Sequence, residues 1–257
     1  MRALATLHRW WGVAFCLLFA MWFASGIVMH FVPFPERSER PATHAIDASP
    51  AGAELIDYDQ WTVAGDYDAD RPLFRYALRD NAGTEIYISP RSGKVVLTTT
   101  RNQRLANYVG SVAHWLYPSE LRHHRHIWSA LMWWLSLLAT IGAELGAIIG
   151  LIRLGKEPAC QGLRRWHHIC GLIFAPFLLA WIFSGFLSMD DGSLFAHSDA
   201  LFRVLHKLDF EPLSSRPWLR TGVIVALCLC GFVFSLTGVV LAWRSVRNCA
   251  RHTAAEL

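Results

Sequence analysis

The chain has 257 residues, of which 53% are hydrophobic; twelve are tryptophan, and the formal net charge is +4. This apolar content exceeds what one soluble core of that length requires, so an ordinary soluble domain is excluded and a membrane protein is expected. The small basic excess reads as a topological bias and not as a binding patch, which gives no reason to expect a nucleic-acid partner.

In chain order, residues 10–31 form the first run of the length a bilayer demands, about twenty apolar residues. We read it as a retained span within a segment 1–31, because no small-x-small cleavage pattern follows it before Pro33. Residues 32–126 are polar and too long for a connector, and should form a small outward domain. Its centre, RPLFRYALRD, TEIYIS and KVVLTTT, reads as three strands separated by Asn81-Ala82-Gly83 and Pro90-Arg91-Ser92-Gly93. Residues 41–53 have linker composition. Residues 102–116 return to helical spacing, with Leu105, Val109, Val112 and Leu116 on one face, and predict an amphipathic helix on the outer membrane surface that ends near His114. Further spans are expected at 127–152, 169–189 and 219–243, joined by a loop at 153–168 and an outer loop at 190–218, with a tail at 244–257.

Short-loop charge sets the orientation. Arg2 and Arg9, then Arg153, Lys156, Arg164 and Arg165, then Arg244, Arg247 and Arg251 all fall on one side, which should be cytoplasmic. Both termini are then inside, and the expected location is a bacterial inner membrane. In the loop opposite, Arg203, Lys207 and Arg216 are offset by Asp190, Asp191, Asp199, Asp209 and Glu211. The cysteines Cys16, Cys160, Cys170, Cys228, Cys230 and Cys249 lie in spans or cytoplasmic segments, so no disulfide framework is expected. Cys228 and Cys230 read as small packing residues.

Aligning the two halves without gaps exposes a repeat. Adding 159 takes His8 to His167, Gly12 to Gly171, Ser25 to Ser184 and Gly26 to Gly185; adding 92 takes His114 to His206, Leu116 to Leu208 and Gly146 to Gly238. This predicts a duplicated two-span unit whose copies run in the same direction, with the outward domain inserted in the first. The expected fold is an α-helical integral membrane protein: a four-transmembrane-helix bundle with a small α+β domain between spans 1 and 2.

The ordered motifs LHRWWG…SG, EIYISPRSGKVV, AHWLYP, RRWHHICG…SG and VLHKL…LTG make the chain resemble the PepSY-associated transmembrane family over nearly its whole length. The second span departs from the pattern, reading Glu144-Leu145-Gly146 where the others read SG or TG. The iron-uptake branch of that family includes haem-containing inner-membrane reductases of ferric siderophores. The resemblance therefore implies a PepSY-like periplasmic domain and a b-type cytochrome role, with two b-type haems expected.

Residue spacing makes a case for haem beside the resemblance. A b-type haem needs two axial imidazoles from facing helices and an apolar shell. Gly12, Gly26 and His30 follow His8 by four, eighteen and twenty-two residues, so all four lie within about 40° of one helix face. The third span repeats the stripe as His167, Gly171, Gly185 and Met189, with His168 about 100° away. Glycine at those points lets a flat macrocycle or a neighbouring backbone approach. The expected inner axial pair is His8 with His167. For the outer haem the repeat nominates His114 with His206, the pairing we favour because it preserves residue type, and the stripe nominates His30, whose repeat mate is Met189. His123, His124 and His126, beside Arg122 and Arg125, read as a solvated basic interface in preference to an anion or siderophore site. His44, His197 and His252 show no pattern. Trp10, Trp11, Trp128, Trp133 and Trp134 read as an aromatic belt and packing.

Glu144 is the one acidic residue well inside a span, and is a candidate for a proton or quinone role. There is no G-x-G-x-x-G after a strand, so a nicotinamide or flavin would have to sit on another protein. The function expected is one-electron reduction of a periplasmic ferric siderophore, with a quinol or a reductase as donor. Siderophores hold hard Fe(III) through oxygen donors, and Fe(II) loses much of that advantage. Three rival readings are a quinol-linked cytochrome b serving another periplasmic acceptor, a PepSY-type membrane-anchored regulator without haem, and a transporter subunit whose histidines are incidental.

Overall fold

The computed structural model describes residues 2–38, 40–41, 52–154, 162–189 and 198–255. His44, Lys156, Cys160, Asp190, Asp191 and His197, and the side chains of Arg2, Cys249, Arg251 and His252, lie outside the described residues. The chain divides into two compact units, Met1–Ile27 with Ser129–Leu257, and Val28–Trp128.

Four helices are long and apolar enough to cross a membrane: Ala3–Phe31, Arg125–Arg153, Leu163–Leu187 and Pro217–Asn248. They belong to α1 (Arg2–Phe31), α4 (Arg125–Arg153), α5 (Leu163–Leu187) and α8 (Pro217–Ala255). Each begins before the expected apolar stretch, because a helix satisfies its own backbone and carries its charged end beyond the hydrocarbon, while α5 stops at Leu187, short of the expected end at Met189. Pro33 marks the end of α1, since the residue before a proline is pushed out of helical conformation, and Pro217 opens α8 at the position where a missing N–H is harmless.

Lipid tails are as apolar as leucine, so these helices associate by close packing. Glycine notches provide it. The Cβ that Gly142 and Gly146 lack would meet Trp11 and His8 of α1, the one Gly150 lacks would meet Leu172 of α5, and the one Gly231 lacks would meet Phe23 of α1 and Phe174 of α5. Phe23, Ala139, Phe174, Leu178, Trp181, Ile224 and Cys228 form the buried core between these helices.

The second unit holds an antiparallel five-stranded sheet in the order β1-β5-β4-β3-β2. Its strands are β1 (Arg40–Pro41), β2 (Ala53–Ile56), β3 (Leu73–Ala77), β4 (Glu85–Ile88) and β5 (Lys94–Thr99). The three expected strands are β3, β4 and β5; the two edge strands carry no alternation long enough to read. Gly83 and Gly93 take φ of +59° and +63° in the two hairpin turns, a conformation that favours glycine. Trp61, Tyr67, Leu73, Tyr87, Val96 and Leu97 form the core of this unit.

Helix α2 (Arg101–Asn107) is capped by the Thr100 hydroxyl, which accepts from the Gln103 N–H, and continues through a π-helical turn at Tyr108–Val112 to His114. Its polar face is the buried one. Asn107 donates to the carbonyls of Pro33 and Gln103, and the Ser111 hydroxyl donates to Asn107, while Leu105, Tyr108 and Val109 are exposed. The remaining helices are α3 (Ser119–His123), α6 (Ser198–His206) and α7 (Glu211–Ser214).

Candidate functional site

The first unit contains a cavity of about 1610 Å³ between α1, α4, α5 and α8. That exceeds the roughly 300–1,000 Å³ of a typical small-molecule pocket. Gly12, Gly142, Gly146, Gly150, Gly171 and Gly238 line it, as do His8, His167 and His168. Arg9, Arg153, Arg164, Arg165 and Arg244 complete its charged border.

His8 and His167 thus open on one space, near enough to act on each other electrostatically. Each ring sits on a glycine of a neighbouring helix. The Cε1 atom of His8 is 2.7 Å from where a Cβ on Gly146 would be, and that of His167 is 3.6 Å from the same point on Gly238. These two glycines are the pair related by the offset of 92. The His167 ring is also stacked on Phe234, 4.8 Å between centroids at 15°.

Hydrogen bonding fixes the tautomer of His167. Its Nδ1 is 2.7 Å from the Thr237 hydroxyl oxygen, and that hydroxyl already donates its one proton to the Phe234 carbonyl at 2.6 Å. Thr237 must therefore accept, Nδ1 must carry the hydrogen, and the lone pair is left on Nε2. His8 is different. Its Nδ1 is buried without a well-formed hydrogen bond among the described residues, and the acceptor that acts on its ring is the Gly142 backbone carbonyl.

His206, at the end of α6, is held against the far part of α5. Its Nδ1 donates to the Trp181 carbonyl at 3.0 Å and lies 3.1 Å from the Ser184 hydroxyl, while the Trp181 indole N–H returns a bond to the His206 carbonyl at 3.1 Å. A Cβ on Gly185 would lie 3.7 Å from its Cε1, and Phe202 stacks on the ring at 4.8 Å. Burial pushes the His206 imidazole down to about 4, so it is neutral at pH 7. Trp181 follows His167 by fourteen residues, about 21 Å along α5; His167 and His206 mark opposite ends of that helix.

The other expected site residues are placed as follows. His30, near the end of α1, is half-buried with its ring edge-on to Phe31 at 5.2 Å. His114 is half-buried where the π-turn segment ends, and Met189 is half-buried just after α5. Glu144 is exposed on α4 and is not among the residues lining the cavity. His123, His124, Arg125 and His126 border a separate space of about 440 Å³, with Arg125 paired to Asp68, Arg122 over the Trp128 ring at 4.3 Å, and His123 stacked on Tyr58.

Residues 5–217 match the profile of the PepSY-associated TM region. The chain belongs to the PepSY-associated transmembrane family. No curated protein and no solved structure matches it. The family match takes in His8, His30, His114, His167 and His206 and stops at the start of α8, short of Thr237 and Phe234. Those two, with Trp181 and Ser184, were not picked out in the sequence as imidazole partners. The signal that would have found three of them is the hydroxyl residue preceding a glycine in spans three and four, and the tryptophan three residues before Ser184.

Proposed function

We propose that this chain is a b-type cytochrome that performs one-electron reduction of a ferric complex, of the siderophore type, on the periplasmic side of a bacterial inner membrane. The observation that carries the reading is the pair His8 and His167 on one glycine-lined cavity, with His167 locked in the tautomer that offers Nε2. The donor set fits haem. Two imidazoles suit the iron, six glycines leave room for a flat ring, and the arginines at the border suit its two carboxylates. When bound, haem supplies the one-electron couple; the protein supplies ligands, orientation and a dry shell.

Several features support a duplicated bundle and a second site. His8 on Gly146 and His167 on Gly238 obey both sequence offsets. Leu116 and Leu208, related by 92, are the non-glycine residues with positive φ among the described residues, at 46° and 49°. We assign the arginine-bordered cavity to the cytoplasmic end and the sheet unit to the periplasm, following the charge bias. His206 then lies at the periplasmic end, and it, His114 and His30 are the candidates for the outer ligands. A quinol or a membrane-bound reductase is the proposed donor, and lipid surrounds the spans. The exposed apolar residues of α2 and its π-turn suit a position on the outer lipid surface.

The test is the optical spectrum of the purified protein with its haem-to-protein ratio. Paired sharp visible bands after dithionite are expected, and alanine at either His8 or His167 should remove the same component. A folded, colourless protein would favour the PepSY-type regulator, and loss from only one of the two variants would break the pairing.

A further inference from the structure

We propose that the hydroxyl-glycine dipeptides Ser184-Gly185 and Thr237-Gly238 are histidine cradles, and that Thr237 is the positioning residue of His167. The inference rests on the haem reading for its purpose but on the protein's own contacts for its geometry. In the cradle the glycine admits the Cε1 edge of an imidazole and the preceding hydroxyl meets its Nδ1. Thr237-Gly238 does this for His167, with contacts of 2.7 Å and 3.6 Å. Ser184-Gly185 does the same for His206 at 3.1 Å and 3.7 Å, there reinforced by the Trp181 carbonyl.

The dipeptide at the corresponding place in α4 is Leu145-Gly146. It keeps the glycine, which lies under the His8 ring, and lacks the hydroxyl. The consequence is visible: the His8 Nδ1 is buried with no well-formed hydrogen bond among the described residues and only the Gly142 backbone carbonyl to act on its ring. One departure from the SG/TG pattern thus makes the two inner histidines inequivalent. His167 is oriented by a hydroxyl before any ligand arrives, whereas the ring of His8 has only the Gly142 backbone carbonyl, poorly placed, to choose between its tautomers. A metal-bound imidazole whose other N–H is hydrogen-bonded is the better-held and more basic ligand. Thr237 therefore tightens retention and favours the oxidised iron, and the His8 side lacks that support.

The experiment uses full-length protein labelled with ¹⁵N-histidine, haem-free and haem-loaded, as wild type, Thr237→Val, Thr237→Ser and Leu145→Thr. Valine keeps the shape and removes the hydroxyl; serine restores it. In haem-free protein the His167 signals, assigned by their loss in His167→Ala, should report an Nδ1–H tautomer in wild type and Thr237→Ser, and a tautomer mixture in Thr237→Val. Leu145→Thr should move the His8 signals toward the Nδ1–H pattern. In loaded protein, Thr237→Val should weaken haem retention by about 10- to 100-fold and raise the midpoint potential of that haem. His167 signals unchanged by Thr237→Val would overturn the cradle whatever the haem content. His8 signals unmoved by Leu145→Thr would overturn the inequivalence. A wild-type protein that takes up no haem would overturn the electron-transfer reading alone, because the tautomer comparison needs no haem.

Discussion

Gly146 and Gly238 occupy matching positions, yet alanine should act very differently at the two. A Cβ on Gly146 would lie 2.7 Å from Cε1 of His8. Carbon atoms in contact settle at about 3.5–4.0 Å, so the ring must retreat by roughly 1 Å. On Gly238 the nearest atoms are Cβ of Cys16 at 3.3 Å and Cε1 of His167 at 3.6 Å, and adjustments of a few tenths of an ångström suffice. Overpacking costs about 1–3 kcal/mol and replacing a helical glycine by alanine returns about 1 kcal/mol, so neither variant should unfold. Ligand geometry is less forgiving, with a tolerance of about 0.5 Å. Gly146→Ala should therefore weaken haem binding by about 10- to 100-fold, equivalent to roughly 1.4–2.8 kcal/mol, while Gly238→Ala stays near wild type. Haem titration of both variants in detergent, with thermal unfolding as the folding control, measures this. Equal retention in the two, or a larger loss in Gly238→Ala, would refute the placement of His8 on Gly146.

A membrane-impermeant thiol reagent applied to intact cells should label a cysteine placed at Ser92, in the exposed turn before β5, and none of the native six; labelling of Cys160 would reverse the orientation. His206 should titrate near 4 and not near its ordinary 6.5, because burial disfavours the charged ring. Its folded value is below its unfolded one, so its contribution to stability is complete above 6.5 and declines as pH falls through about 4; an NMR titration midpoint near 6.5 would contradict the burial. Single alanine variants of His30, His114 and His206 should separate the outer-ligand candidates by haem stoichiometry and low-temperature reduced spectra. An outer signal that survives loss of His114 or His206 and vanishes without His30 would favour the stripe over the repeat.

What could be read in advance depended on how local the signal is. The four long helices follow from runs of apolar residues, since the bilayer's thickness sets a length that no short-range detail can hide. Strands β3, β4 and β5 were legible because Asn81-Ala82-Gly83 and Pro90–Gly93 punctuate them. Two-residue β1 and four-residue β2 were not, because edge strands so short are defined by their partners. The helix from Arg101 was legible as amphipathic, with Leu105 and Val109 on an exposed apolar face; what its spacing did not show is that its polar side, with Asn107 and Ser111, is the buried one. A sequence offset paired His8 with His167, and the structure brings both to one cavity; the exposure of Glu144 was not legible, because a helix's rotation in a bundle is set by its neighbours.

The two glycines that the offset of 92 relates both open on the cavity, and the residues beside them differ from one side to the other. In a lipid solvent, helices gain little by hiding apolar surface, so contacts must come from close approach and from hydrogen bonds that lipid cannot offer. Glycine at 146 and 238 supplies the first on both sides. The second differs between the sides: Thr237 faces His167, while Leu145, at the matching position, gives His8 no hydroxyl, and Phe234, stacked on His167, is matched by Gly142, a notch filled by Trp11. The indole N–H of Trp11 then donates to the Leu138 carbonyl at 2.9 Å, anchoring α1 to α4 one turn beyond His8. Where α5 and α8 hold an imidazole by stacking and a hydroxyl, α1 and α4 hold each other by an indole and leave the imidazole to its cavity. On the haem proposal, such a site would offer one preset and one adjustable imidazole, which would suit a cofactor that arrives after the helices have packed.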